Sequence, residues 1–249
     1  MKALIAVLFL VIFIQPVWAK YEDSMSWNLD SKGVKELRID IPCGAIEVKT
    51  NDSLKEIRIT AEIVIRKLSE KDAEEYVKNW KVDLVKNGDV ASFVYNGKNK
   101  KNTRFSKKNI SVEFDLVVEM PKNMNLTIDT GAGNIKIADL IGDIKLESGA
   151  GNISVTNVNG NIDVNTGAGN MRFKKITGNV DADSGAGNMT FFDIKGDIAA
   201  DCGAGNISIE TCNGYIDVDT GIGNIDISGV SKKVKANTGL GKCTIDDEV

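Results

Sequence analysis

Carboxylates recur at a fixed spacing through the second half of this chain, and their chemistry needs an account first. Aligned on an 18-residue period, one column reads Lys145, Asp163, Asp181, Ala199, Asp217 and Lys235. The column two residues further on reads Asp129, Glu147, Asn165, Asp183, Asp201, Asp219 and Asn237. Acidic side chains stacked in this way repel one another, and a divalent cation between them would relieve the repulsion. The same oxygens could instead accept hydrogen bonds from the hydroxyls of a glycan. The plainer role is a charged face that resists aggregation. Asp163, Asp181, Asp183, Asp201, Asp217 and Asp219 are therefore the candidate ligand- or cation-binding face.

A second candidate is basic. Lys98, Lys100, Lys101, Arg104, Lys107 and Lys108 lie close together around Phe105. Such a run is a candidate anion-binding loop for acidic polymers or lipid headgroups, or simply a solvated loop tip.

Catalysis is constrained by what is missing. The chain has no histidine, so a Ser-His or Cys-His pair and a histidine-ligated metal are excluded. Paired carboxylates could still hydrolyse a glycoside, with Asp181, Asp183, Asp201 and Asp217 as the candidate neighbourhood. These residues stand in repeated columns, however, and no long insertion interrupts the repeats to wall a cleft. The expectation is a protein that is not an enzyme, with no catalytic residue, no cofactor and no resident metal.

The element that positions the columns is a tandem repeat. Gly-Ala-Gly-Asn begins at Gly131, Gly149, Gly167, Gly185 and Gly203, followed by Gly-Ile-Gly-Asn at Gly221 and Gly-Leu-Gly-Lys at Gly239. Each unit is two nine-residue halves, and nearly every half holds Gly, a polar residue, then apolar, any, apolar. That alternation is the period of a strand with one buried face. Nine residues are too few for a strand with a crossover helix. The strands must therefore coil, with equivalent strands of successive turns parallel. The predicted fold is an all-β parallel β-solenoid of 18-residue coils, with an irregular N-terminal section that carries one short helix.

The inward rows then follow. Ile135, Ile153, Met171, Met189, Ile207, Ile225 and Cys243 form one, and Ile144, Ile162, Val180, Ile198, Ile216 and Val234 form another. The turn asparagines Asn134, Asn152, Asn170, Asn188, Asn206 and Asn224 are expected to bond along the stack as structural groups. Of the 24 glycines, 20 follow Asp129, as turns with positive φ or close backbone approach require.

Residues 1–19 read as a secretory signal: Lys2, the apolar run Ala3 to Ile14, and Pro16-Val17-Trp18-Ala19 before a cut near Lys20. Residues 20–124 are the irregular capping section, with a helix near 69–80 that starts at Ser69-Glu70-Lys71-Asp72. Within it, Leu37 to Ile41, Ile46 to Val48, Ile57 to Ile59 and Ile63 to Ile65 read as separate strands. Residues 125–249 hold the regular repeats. Cys43, Cys202, Cys212 and Cys243 match no disulfide or zinc framework, and buried free thiols are expected. Without residues 1–19, 30 basic residues face 35 acidic ones, which is not the balance of a nucleic-acid binder, and from Asp129 onward 17 acidic residues face 10 basic ones.

Two resemblances bear on this reading. Gly149-Ala150-Gly151-Asn152-Ile153-Ser154-Val155 resembles the calcium-binding RTX nonapeptide, in which an aspartate ligand stands two residues after the second glycine. Here Ile135, Ile153, Met171, Met189, Ile207 and Ile225 take that place, so the internal calcium site is not carried over. The half-repeats, from Gly44-Ala45-Ile46-Glu47-Val48 onward, are more similar to the bacterial putative-adhesin domain family of unknown function. That resemblance implies a secreted β-solenoid and supplies no catalytic residues. The expected function is a non-catalytic extracytoplasmic interaction module for an envelope polysaccharide or surface protein, in the periplasm or outside the cell. The alternatives are a structural scaffold of the envelope and, behind it, a polysaccharide-acting β-helix enzyme.

Overall fold

The structure, a computed structural model, describes residues 20–66, 68–77, 82–95, 110–230 and 232–246. Its first part comprises β1 (Lys20–Asp30), β2 (Glu36–Ile41), β3 (Ile46–Thr50), β4 (Glu56–Arg66), α1 (Glu70–Val77), β5 (Val82–Asn87), β6 (Val90–Tyr95) and β7 (Ser111–Met120). The repeats then alternate between two sheets. Sheet A takes β9 (Ile135–Ala138), β11 (Ile153–Asn159), β13 (Met171–Thr177), β15 (Met189–Lys195), β17 (Ile207–Cys212), β19 (Ile225–Val230) and β21 (Cys243–Asp246). Sheet B takes β8 (Asn125–Thr130), β10 (Ile144–Ala150), β12 (Ile162–Ala168), β14 (Val180–Ala186), β16 (Ile198–Ala204), β18 (Ile216–Ile222) and β20 (Val234–Leu240). Every neighbouring pair of repeat strands is parallel and displaced by one 18-residue period, as in Ile153 against Met171 and Ile162 against Val180. This is the predicted parallel solenoid.

The coil beneath the repeats comes from far upstream. β2 pairs in parallel with β8, and β3 with β9, so residues 36–50 form a coil of the same stack. Between β3 and β8 the chain leaves the stack and returns as its end cover. β7 continues sheet A in parallel beyond β3, then β4 and β1 extend it antiparallel. β6 and β5 do the same for sheet B. Antiparallel edges give the open solenoid end a different geometry from the coils it would otherwise template.

Between the sheets the inward rows are buried as far as Ile225 and Ile216, Val234 at the next coil is half-buried, and Phe173 stacks on Phe191 with ring centroids 5.1 Å apart. Under the cover, Trp27 meets Phe93 edge-on at 5.0 Å. A row of small polar residues is buried beside the turns: Thr130, Ser148, Thr166, Ser184 and Thr220, with Cys202 in the same row. Each hydroxyl donates to a nearby carbonyl, as Ser184 does to Ala186 at 3.2 Å, so burial leaves it satisfied.

The ladder expected of the turn asparagines is present. The backbone nitrogens of Asn152, Asn170, Asn188, Asn206 and Asn224 each donate to the Oδ1 of the asparagine one coil below, at 2.8–3.0 Å.

Three local readings need correction. Ile57 to Ile59 and Ile63 to Ile65 are one strand, β4, because Thr60, Ala61 and Glu62 carry the alternation across. Lys20–Asp30, not anticipated as a strand, is the 11-residue β1. The four cysteines are free, but only Cys202 and Cys212 are buried. Cys43 is half-buried and Cys243 is exposed: it holds its inward-row position against Ile225, yet no described coil covers its far side. Among the described residues no helix is long and apolar enough to cross a membrane.

Candidate functional site

The outer face of sheet B carries the carboxylates, and pairing register sorts the six candidates into two columns. Asp163 sits beside Asp181, and Asp181 is separated from Asp217 by Ala199. Asp183, Asp201 and Asp219 are consecutive in the second column. Strand alternation turns both columns outward, while Val164, Ala182 and Val218 between them face the core.

Cations close the ends of the first column. Lys145 lies 3.5 Å from both Asp163 and Glu147, and Lys235 lies 2.8 Å from Asp217. The field of Asp163 raises the Lys145 pKa, and the hydrogen bond to Asp217 raises that of Lys235. The second column has no such partner along Asp183, Asp201 and Asp219 among the described residues. Partial burial, then the charges of Asp181, Asp201 and Asp163, push the Asp183 carboxyl above its ordinary value. Among the described residues, no three carboxylate or thiol groups converge as metal ligands would.

One site feature was absent from the sequence reading. A second turn column, Asn125, Asp143, Asn161, Asn179 and Asp197, forms its own ladder. Each side-chain Oδ1 accepts from the backbone nitrogen one coil above, ending at Tyr215. The signal lay in the polar residue after the third glycine of the repeat, as in Gly142-Asp143 and Gly160-Asn161. Between this turn column and the Lys145-to-Lys235 column the surface is concave. One groove is lined by Asn125, Asp143, Lys145, Asn161 and Asp163, and a second by Asp197, Ala199, Tyr215 and Asp217. They share Asn179 and Asp181. Asp183, Asp201 and Asp219 line a separate depression beside the glycine turns.

The candidate basic loop, Lys98, Lys100, Lys101, Arg104, Lys107 and Lys108, lies outside the described residues. On the outer face of sheet A, Lys136 pairs with Glu47 at 3.0 Å, and the Lys174 Nζ stands 5.4 Å from the Phe192 ring centroid.

The family model described as Toastrack DUF4097 matches residues 34–247. A crystal structure of a putative adhesin from Bacteroides fragilis aligns with a TM-score of 0.55 at 18% identity, over 90% of this chain and 97% of that one. A putative cell adhesion protein from Clostridium sporogenes aligns with a TM-score of 0.42 at 13% identity, over 86% of this chain and 100% of that one. A putative lipid binding protein from Parabacteroides distasonis gives 0.39 at 12% identity, over 88% and 96%. At these identities the likeness is one of fold alone. No curated protein matches the chain.

Proposed function

The chain belongs to the Toastrack DUF4097 family, and we propose that it is a non-catalytic, adhesin-like interaction module that works outside the cytoplasm and engages a component of the envelope or of another surface. The outer face of sheet B carries this reading. It offers seven coils of polar side chains in straight columns on a backbone locked by two hydrogen-bonded ladders, a stiff surface suited to an extended partner. The carboxylates recur in open columns along that surface, which supports recognition of a partner over its hydrolysis. Residues 1–19 supply the export signal in this account, with the mature chain starting near Lys20. Saturable binding of the purified protein to isolated envelope fractions, together with a mature N-terminus near Lys20 on the exported protein, is the expected result. A cytoplasmic, unprocessed chain that binds no fraction would contradict it.

A scaffold role has one observation in its favour. At the last described coil Ile245 is 41% exposed where its counterpart Ile227 is buried, so that edge could receive a second copy. Light scattering at high concentration separates the two: a monomer supports the module alone.

A further inference from the structure

We propose that the two joined grooves on sheet B are a single binding site for a linear polysaccharide of uncharged or amino sugars. This rests on the interaction-module reading and names its ligand.

The first argument is shape. The grooves follow one another along the stack through Asn179 and Asp181, so the trough runs across the strands. Six coil steps separate Thr127 from Lys235, which at about 4.8 Å per strand gives roughly 29 Å. The two sections hold about 500 and 460 Å³, each within the range of a ligand site.

The second is register. Polar groups recur at the coil spacing on both walls, interrupted on one wall at Ala199, and that step is close to the advance of one sugar in an extended chain. Successive sugars would meet equivalent partners. A peptide strand advances by about 3.3 Å per residue and would drift out of step.

The third is charge. Glu36, Asp143, Asp163, Asp181, Asp197 and Asp217 line the trough against Lys145, Lys233 and Lys235, and Lys145 and Lys235 are already paired with Asp163 and Asp217. Hydroxyl and ammonium donors suit such walls, while a polyanion is repelled.

The fourth is a break in the repeat. Ala199 replaces the aspartate of the coils on either side and lowers the rim between Asp181 and Asp217. Beside it stands Tyr215, 56% exposed, where the preceding coils have Asn or Asp. An exposed ring next to a notch is a platform for the apolar face of a sugar, and the Lys232 Nζ stands over the ring, 5.1 Å from its centroid.

Calorimetry on the purified protein with β-1,4-linked hexamers of glucose, glucosamine and galacturonate tests this. The glucose or glucosamine hexamer should bind at least about tenfold tighter than its own dimer, and the galacturonate hexamer should be the weakest of the three. Ala199→Arg, which fills the notch from an exposed position, and Tyr215→Ala should each weaken hexamer binding about fivefold or more. Arg172→Gln, on the outer face of the opposite sheet, should change it by less than about twofold. Unchanged thermal melting confirms that each variant is folded, and Ala199→Arg alone suffices if Tyr215→Ala is not. No binding of any hexamer, no gain over the dimer, a preference for galacturonate, or full binding by Ala199→Arg would overturn the proposal. Envelope binding that survives Ala199→Arg would do so while leaving the module reading intact.

Discussion

Gly169 lies so close to Gly151, one coil below, that a Cβ added to it would stand 2.0 Å from the Gly151 carbonyl oxygen. The same approach recurs up the column, with 2.1 Å at Gly187 and 2.0 Å at Gly205. Coils about 4.8 Å apart leave no room for a side chain aimed at the neighbouring backbone, so the solenoid's pitch demands glycine at these positions. Gly169→Ala should therefore cost about 3 kcal/mol or more, since backbone must move. Gly88 is the comparison: its φ is +65°, but nothing lies within 4 Å of the added carbon. Gly88→Ala should cost only about 1 kcal/mol. Equal losses on thermal melting would contradict the close-packing explanation.

Asp183 gives a pH dependence of definite sign. Its carboxyl is raised in the folded chain, so the folded state holds this proton more tightly than the unfolded one. Its contribution favours folding below the ordinary aspartate pKa and weakens as pH rises through the folded value. Asp183→Asn should stabilise the protein slightly at pH 7, by up to about 0.5 kcal/mol because solvent screens the site, and remove that part of the pH slope. A variant less stable at pH 7 would show that the neighbouring charges are not the governing effect.

The cysteines should react in an order set by burial. Cys243 is exposed and should take a maleimide label on the native protein first. Burial pushes the Cys202 and Cys212 thiols up and shields them, so they should label only on unfolding, with Cys43 between. Rapid native labelling of Cys212 would contradict its place in the core row.

Calcium should act on the acidic columns only as a screening ion. The aspartates stand one per coil, and no trio among the described residues converges on a point. Added calcium should raise the melting temperature no more than magnesium at the same ionic strength. A calcium-specific rise of several degrees would establish a cation site in the columns.

Much of this architecture was legible because an exact repeat converts sequence offset into spatial adjacency. The offset from Ile153 to Met171 identifies neighbours in the core, and Asn152 to Asn170 identifies a ladder. Where the repeat is lost, that conversion fails. Tyr21, Met25, Trp27 and Leu29 do alternate, but with no second copy to align they did not mark β1. Cys243 obeyed the row and is still exposed, because burial depends on what stacks above it. Lys175 and Thr211 have positive φ, in line with Asp139, Asn157 and Asp193, where the pairing skips one residue per coil. Asp and Asn in that column, with Gly229 at its upper end, were the hints of this left-handed kink. The carboxylate columns were readable, whereas the trough was not: it lies between a strand column and a turn column, and its notch needs both Ala199 in the one and Tyr215 in the other.

The most direct test of the central claim is a saturation-binding measurement on isolated envelope fractions. It compares the unaltered protein with an Asp181→Lys, Asp217→Lys double variant and an Arg172→Glu variant on the opposite sheet. Saturable binding that falls about tenfold or more in the double variant and is kept in Arg172→Glu is expected of a module that works through the face of sheet B. No saturable binding, or binding indifferent to that double substitution, would contradict it.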